Sequence, residues 1–229
     1  MLKQLRQQVL EANLYLADLN LVTLTWGNVS GISREEGLVV IKPSGVDYKK
    51  MKLNDLVVVD LSGKVVEGDL RPSSDTPTHL ELYKAFTGIG GIAHSHSEYA
   101  TVFAQACREI VCYGTTHADT FDGNVPVTRF LKKGEVEKDY EINTGKVIVE
   151  RFGKLNPAAV PGVLVAGHAP FTWGRDASDA VKNNLILEKI AKMALNSLGL
   201  TPRLRQLPDY ILRKHNQRKH GPNAYYGQK

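Results

Sequence analysis

Two histidines separated by one serine, His94 and His96 in the stretch GIAHSHSEYA, are the first candidates for metal chemistry in this sequence. On an extended strand alternate side chains point to the same face, about 6–7 Å apart along the backbone, so that two imidazoles can converge on one ion. His168 ends the apolar stretch VLVAGH, predicted to be a strand, and is the best candidate for a third ligand. Three histidines with one open position are typical of catalytic zinc, which acts as a Lewis acid on a bound oxygen.

The same residues also fit a structural role as hydrogen-bonded core or surface histidines, and the spacing alone leaves both interpretations open. His117 is a competing ligand, and Asp75, in the loop upstream of His94, is a carboxylate that can complete or modulate the metal shell.

Three separate loops carry groups that bind phosphate through backbone N–H, hydroxyl, amide or ammonium groups. The candidate residues in these loops are Gly27, Asn28, Lys42, Ser44, Gly45, Ser73 and Ser74. Each loop taken alone also fits ordinary turn chemistry. Because the sequence has neither a Walker A nor a GxGxxG element, nucleotide binding has little support.

Candidate proton-transfer groups lie in two places. Asp119 follows the predicted strand IVCYG, where a functional loop would begin. The C-terminal tail adds His215, Arg218, His220, Tyr225 and Tyr226, and a phenol beside cations can exchange a proton with an alkoxide. A solvated, frayed terminus is the alternative for the tail.

Composition limits the class of protein. The 229 residues are 42% hydrophobic, enough for one domain with a sizeable core, and no apolar stretch approaches the roughly 18–20 residues of a membrane span. The start has no signal-peptide pattern, so we expect the mature protein to begin near Met1. Two cysteines without a Cys-x-x-Cys motif exclude a disulfide scaffold and favour a reducing cytoplasm.

The net charge of +5 is concentrated in the tail. Residues 201–229 carry seven Lys and Arg residues against the single acid Asp209, which leaves a net charge of −1 for the first 200 residues. Such a tail can line a phosphate site. Nucleic acid is the weaker interpretation, because no recognisable binding motif accompanies the charge.

Strand and helix patterns are mixed along the whole chain without an internal repeat, which predicts one α/β domain with a short tail. The predicted strands include GLVVIK, GGIAHSHS and IVCYG, a strand with a turn in VPGVLVAGHAPFTWG, and a hairpin in LVVVDLSGKVVEG around Ser62-Gly63. The predicted helices include the N-terminal segment, those in RPSSDTPTHLELYKAF, EYATVFAQAC and EKDYEINTGKVIVERFGKL, a long helix ended by Gly199 and Pro202, and a last exposed helix in PDYILRKHNQRKH.

These motifs, in this order, resemble the class II aldolase/epimerase family of zinc enzymes, and among its members the epimerases. The similar stretches are TWGNVSG, KPSGVDY, RPSSDTPTHLELYK, AHSHSEYAT, GTTHADTF, AGHAPFTWG and the terminal KHNQRKHGPNAYYGQ, which together span nearly the full length. The long tail ending in AYYGQ separates the chain from the aldolases, and the additional Lys229 after it is expected to be harmless.

By position, the resemblance places the metal ligands at His94, His96 and His168, with Asp75 beside the metal and His117 outside the ligand set. It places the phosphate loops at Gly27, Asn28, Ser44, Gly45, Ser73 and Ser74, with Lys42 adjacent. It assigns acid/base roles to Asp119 and Tyr226, supported by His215 and Arg218. Many aldolases of the family have Glu where this chain has the shorter Asp75, which favours a metal-neighbour role over proton transfer.

The implied fold is a single α/β domain over residues 1–229, a central, mostly antiparallel sheet flanked by helices in three layers, with an active-site tail at about 203–229. The implied partners are a small sugar phosphate, one Zn²⁺ (or another divalent metal) per subunit and three further copies of the chain in a cyclic homotetramer with active sites at subunit boundaries, without nucleic acid or membrane.

The implied activity interconverts L-ribulose 5-phosphate and D-xylulose 5-phosphate by retro-aldol cleavage and re-addition at C3–C4, in cytoplasmic arabinose or ascorbate catabolism. An aldolase for another sugar phosphate, such as L-fuculose 1-phosphate, is the alternative. A non-catalytic anion- or nucleic-acid-binding module is the third hypothesis, and it predicts that His96→Asn leaves function intact.

Overall fold

The computed structural model describes residues 2–227, which contain seven strands and eight α-helices. The strands are β1 (Asn28–Ser33), β2 (Leu38–Ile41), β3 (Val57–Asp60), β4 (Val65–Glu67), β5 (Gly91–His94), β6 (Gly162–Leu164) and β7 (Pro170–Gly174). The helices are α1 (Lys3–Asp18), α2 (Thr76–Ala85), α3 (Glu98–Gln105), α4 (Thr115–Ala118), α5 (Lys133–Glu137), α6 (Tyr140–Arg151), α7 (Ala177–Leu200) and α8 (Asp209–His220), with a 3-10 turn at Leu53–Asp55. The expectations about Met1 and Lys229, and the Gln228 of the tail motif, concern residues outside this range.

The strands form one sheet in the order β4-β3-β2-β1-β5-β7-β6, and every pair of neighbours is antiparallel. β5 therefore lies between β1 and β7. At its end, His94 is in register with Asn28 on one side and with Phe171 on the other. This register brings the first predicted phosphate loop and the turn before β7 next to the first predicted metal ligand.

Alternation along the strands divides the core between the two faces of the sheet. Val39 and Val59 belong to one buried cluster, to which α2, α3 and α6 contribute, while Val40 and Val58 belong to a second cluster that includes α1. α7 contributes residues to both clusters. The sheet is thus covered by helices on both faces, and the predicted single α/β domain with a central antiparallel sheet is confirmed.

Several local predictions were wrong. IVCYG is not a strand of the sheet: Ile110 makes one isolated bridge, to Val125, because the N–H of Cys112 bonds to the side chain of Asn124 and its carbonyl accepts from Leu207. The predicted helix over 137–155 begins only at Tyr140, and the positive φ of 56° at Asp139 separates it from α5.

The tail is anchored to the domain by α8. Leu212 of this helix is 5% exposed and packs with Cys112 and Ala118 next to α4. Both cysteines are free thiols. Within residues 2–227, none of the helices combines the length and the apolar character that crossing a membrane requires.

Candidate active site

Three histidines converge at the end of β5, beside the turn that leads into β7. β5 ends at His94, so His96 lies just beyond the strand, and His168 lies in the turn between β6 and β7, not at the end of a strand as predicted. The three ring centroids are 5.0 Å apart in every pair. One nitrogen from each ring lies within 4.8 Å of the other two. The strand alternation from which the pairing of His94 and His96 was predicted does not apply, because His96 and His168 both lie outside the strands.

His94 is the most constrained of the three. It is 1% exposed, and its ring stacks on Phe171 with centroids 4.1 Å apart. Its Nδ1–H donates to the carbonyl oxygen of Pro170 at 2.9 Å. In a neutral ring this leaves Nε2 with its lone pair free, 3.2 Å from Nε2 of His96.

Burial holds all three imidazoles in the neutral form that binds metals. Desolvation lowers the pKa of His94 and of His96, and it lowers the pKa of His168 to about 4. Among the described residues, Nδ1 of His168 is buried without a hydrogen-bond partner. Three neutral imidazoles, each with one nitrogen within 4.8 Å of the other two, fit a divalent metal such as zinc.

Asp75 lies beside this cluster. Its Oδ2 is 4.0 Å from Nε2 of His94 and accepts a hydrogen bond of 2.6 Å from Nδ2 of Asn28. Burial opposes its ionisation, but the hydrogen bond from Asn28 favours the carboxylate, and the pKa of Asp75 lies below the usual range. The carboxylate therefore adds negative charge next to the imidazoles.

A cavity of about 520 Å³ opens over the three histidines. All the predicted phosphate-loop and metal residues line it: Gly27, Asn28, Lys42, Ser44, Gly45, Ser73, Ser74, Asp75, His94, His96 and His168. Backbone hydrogen bonds join two of the loops, because Ser44 N–H donates to Arg71 O and Ser73 N–H donates to Lys42 O. Segments separated in sequence thus form one polar wall.

Lys42 places a cation inside this wall. Its side chain is 1% exposed, and Nζ donates to the carbonyl oxygens of Thr25 and Pro43, both at 3.3 Å. The ammonium also lies over the Tyr48 ring, 4.7 Å from its centroid. Desolvation by burial lowers its pKa to about 8. A buried cation of this kind is stabilised by an anion such as a phosphate group.

Two cavity residues come from a segment that the sequence motifs do not connect with the site. Tyr140 and Glu141, at the start of α6, line the cavity, and the Tyr140 ring centroid is 6.5 Å from that of His168. Their segment was predicted only as part of a helix. No local signal marked them, because the predicted helix began at residue 137 and only the structure places Tyr140 at its first turn, after the positive φ of Asp139.

Asp119 and the tail form a second cluster. Arg218 donates three hydrogen bonds to the Asp119 carboxylate, from Nε at 3.2 Å and from Nη2 at 3.0 and 2.9 Å. His215 Nδ1 lies 3.1 Å from Oδ1 of the same carboxylate. Burial opposes ionisation of Asp119, but Arg218, His215 and Lys219 outweigh it, so its pKa lies below the usual range. Tyr226 is 63% exposed and its ring lies 5.1 Å from the Arg218 guanidinium.

The two clusters are separate within one chain. Among the described residues that line the cavity, none is Asp119, His215, Arg218 or Tyr226. His117, the competing ligand, is also elsewhere: its Nε2–H donates to the Gly123 carbonyl at 2.8 Å, and burial lowers its pKa to about 4.

Comparisons with known proteins agree on one family. Residues 7–195 match the family described as "Class II Aldolase and Adducin N-terminal domain". The chain is 56% identical over 228 residues to "L-ribulose-5-phosphate 4-epimerase UlaF" of Salmonella paratyphi C (strain RKS4594), with 100% of both proteins covered.

Two solved structures share the fold. The structure of "L-fuculose 1-phosphate aldolase" aligns with a TM-score of 0.80 and 27% sequence identity, and the alignment covers 94% of this chain and 95% of the other. YgbL of Klebsiella pneumoniae, described as a putative aldolase/epimerase/decarboxylase, is 24% identical with a TM-score of 0.75 over 94% of this chain and 100% of the other, and it supports the fold alone. With its sheet, its histidine cluster and these matches, the chain belongs to the class II aldolase family.

Proposed function

We propose that this chain is an epimerase that interconverts L-ribulose 5-phosphate and D-xylulose 5-phosphate, with a zinc ion bound by His94, His96 and His168. The observation that carries the proposal is the convergence of three neutral imidazoles beneath a polar wall that contains a buried lysine. The full-length relative that is 56% identical and named for this reaction supports it.

The donor set favours zinc, although another divalent metal can use the same nitrogens. The bound metal supplies Lewis-acid stabilisation of the negative charge that develops on the substrate oxygens during C3–C4 cleavage. Asp75 balances the charge of the site and, through Asn28, is tied to the phosphate-binding wall. Hydrogen bonding from Asn28 keeps this carboxylate in place as a neighbour of the metal.

The phosphate-binding wall retains the second fragment. Cleavage of C3–C4 yields two fragments, the enediolate of dihydroxyacetone and glycolaldehyde phosphate. The second fragment, glycolaldehyde phosphate, must stay bound while its aldehyde group rotates to present the other face. Lys42 attracts the phosphate, and the hydroxyls of Ser44, Ser73 and Ser74 donate hydrogen bonds to its oxygens. Re-addition to the other aldehyde face inverts C4.

Inversion requires one proton-transfer group on each face of the aldehyde. We assign these roles to Asp119 and Tyr226, with His215 and Arg218 as the residues that hold Asp119. One group removes the C4 hydroxyl proton before cleavage, and the other protonates the C4 oxygen after re-addition. Because these residues do not line the cavity of their own chain, we propose that a neighbouring copy in a homotetramer supplies them, so that residues 203–229 complete a site at a subunit boundary.

The cellular role that fits this reaction is cytoplasmic catabolism of arabinose or ascorbate, and two free cysteines are compatible with a reducing compartment.

The direct test is incubation of the zinc-loaded protein with L-ribulose 5-phosphate, followed by an assay for D-xylulose 5-phosphate. Product formation that disappears after chelation and returns with zinc is the expected result. Tight zinc binding without conversion would show that the proposed reaction is wrong.

The second candidate is an aldolase for another sugar phosphate, favoured by the TM-score of 0.80 to the L-fuculose 1-phosphate aldolase. An aldolase releases both fragments, whereas the epimerase retains them. Accumulation of free aldehyde during turnover, measured with an aldehyde-trapping reagent, therefore separates the two.

A further inference from the structure

We propose that Asn184 and Glu188, two side chains of α7, are positioning residues that hold the segment His94–Ser97 in the geometry that binds the metal. We call this pair the α7 clamp. The inference rests on the proposed metal site and adds two residues that lie outside its cavity: no residue of α7 is among those that line it in the described part of the chain.

The segment needs an anchor because it leaves the sheet. β5 ends at His94, and α3 begins at Glu98, so Ser95, His96 and Ser97 have no strand partner. Yet Ser95 is fully buried and Ser97 is 3% exposed. Side chains from another element must therefore fix the conformation of these three residues, including that of the ligand His96.

Asn184 holds the segment on the N-terminal side of His96. The Ser95 hydroxyl donates to Asn184 Oδ1 at 2.8 Å, and Asn184 Nδ2–H donates to the Thr172 hydroxyl at 3.2 Å. Asn184 is fully buried, and Thr172 belongs to β7. The Asn184 side chain thus connects Ser95, which lies between the proposed ligands His94 and His96, to β7, the strand that follows the third ligand, His168.

Glu188 holds the segment on the C-terminal side of His96. Its Oε1 and Oε2 atoms accept hydrogen bonds from the N–H groups of Tyr99 and Ala100, both at 2.9 Å. These N–H groups belong to the first turn of α3, where the preceding Ser97 makes no side-chain cap. A carboxylate from α7 therefore caps α3, which suits the positive end of the helix dipole.

The two contacts act on opposite sides of one ligand. Asn184 and Glu188 are four residues apart and lie on the same face of α7. Together they fix the backbone before and after His96, so that its Nε2 remains 3.2 Å from Nε2 of His94. Loss of either anchor lets His96 rotate away, and the site loses part of its preorganisation for the metal.

Zinc affinity of the metal-free protein, measured by competition with a chromogenic chelator, tests the clamp without any assay of activity. We expect Glu188→Gln and Ser95→Ala each to weaken zinc binding by about tenfold or more, as for other residues that support metal ligands. Ser95→Ala removes only one hydroxyl, so this variant still tests the clamp if Glu188→Gln fails to fold. Lys189→Gln, at an exposed neighbouring position of α7, is the matched control and should bind zinc as the wild type does.

Thermal melting of each metal-free variant, followed by circular dichroism, shows the temperature range in which the variant is folded. Zinc affinities are compared within that range, so that a loss of affinity is not a loss of folded protein. Folded variants with zinc affinity within about twofold of the wild type would overturn the proposal, as would wild-type protein that binds no zinc. Wild-type protein that binds zinc but does not convert L-ribulose 5-phosphate would contradict the proposed reaction only. Weakened binding in the variants would then still support the clamp.

Discussion

Nδ1 of His94 lies 2.9 Å from the carbonyl oxygen of Pro170, a residue 76 positions later in the chain. Because a carbonyl oxygen only accepts, the imidazole must donate through Nδ1–H, and its Nε2 is left to bind a metal. Pro170 begins β7, the strand that pairs with β5. The pairing of two strands thus selects the tautomer of a proposed metal ligand.

Replacing His96 by asparagine should remove zinc binding, because one of the three converging nitrogens is lost. Zinc per chain, measured by elemental analysis after gel filtration, should fall from about one to near zero. His117→Asn is the control, since the His117 ring bonds to the Gly123 carbonyl outside the cluster. Equal loss of zinc in both variants would contradict the proposed ligand set.

Asp119→Asn and Tyr226→Phe should retain zinc but lose activity. General acid–base groups contribute about 10²–10⁴-fold, so we expect conversion of L-ribulose 5-phosphate to fall by at least about 100-fold in each variant. Tyr225→Phe is the matched control and should keep wild-type activity. The cation over the Tyr225 ring is Lys214, whereas Arg218 and Lys219 lie over the Tyr226 ring. Loss of zinc in the Tyr226→Phe protein would instead give the tail a structural role.

Coexpression of His96→Asn and Tyr226→Phe chains tests whether the two clusters meet between copies. Each variant alone should be inactive. A mixed oligomer contains sites with an intact cavity from one chain and an intact Asp119–Tyr226 cluster from the other, so activity should reappear. Differently tagged chains allow mixed oligomers to be purified and assayed. Purified mixed oligomers without activity would show that each chain builds its site alone.

Because Lys42 is buried and titrates at alkaline pH, we expect the affinity for the sugar phosphate to decrease there. Burial favours the neutral amine and lowers the pKa of Lys42 to about 8, so the free protein loses this cation as the pH rises through that value. A sugar phosphate is already a dianion there, because its second pKa is about 6. KM should therefore rise by about tenfold for each unit above pH 8.

Lys42→Met should have a high KM with little pH dependence in this range. Lys49→Met changes an exposed lysine nearby and should keep the wild-type profile. Identical KM profiles for the wild type and Lys42→Met would exclude Lys42 as the titrating cation.

Gly27→Ala should destabilise the protein and weaken zinc binding. Gly27 has φ +76°, and an added Cβ would lie 2.7 Å from the His94 carbonyl oxygen and 2.8 Å from Cγ1 of Val22. Gly37→Ala is the control: Gly37 has φ +65°, but an added Cβ there would have no atom within 4 Å. This variant therefore carries only the cost of the left-handed conformation, about 1–2 kcal/mol. Urea denaturation should show a larger loss of unfolding free energy for Gly27→Ala. Equal losses would mean that the close approach to His94 has no structural importance.

The sequence by itself determined the family and the fold class, both of which are confirmed. Together with the family resemblance, turn chemistry and the two-residue spacing of His94 and His96 also predicted most of the residues that line the cavity, but not Tyr140 and Glu141. The catalytic roles of Asp119 and Tyr226 and the binding of zinc stay predictions.

Only the tertiary structure decided how these residues are held. The carbonyl that orients His94, the α7 side chains that fix Ser95 and α3, and the Tyr140 ring beside His168 come from segments far away in sequence. The same long-range bonding turned IVCYG into an irregular segment, because Asn124 and Leu207 take the Cys112 backbone groups. Packing and hydrogen-bond partners of this kind depend on the pairing of distant segments, which local sequence patterns do not encode.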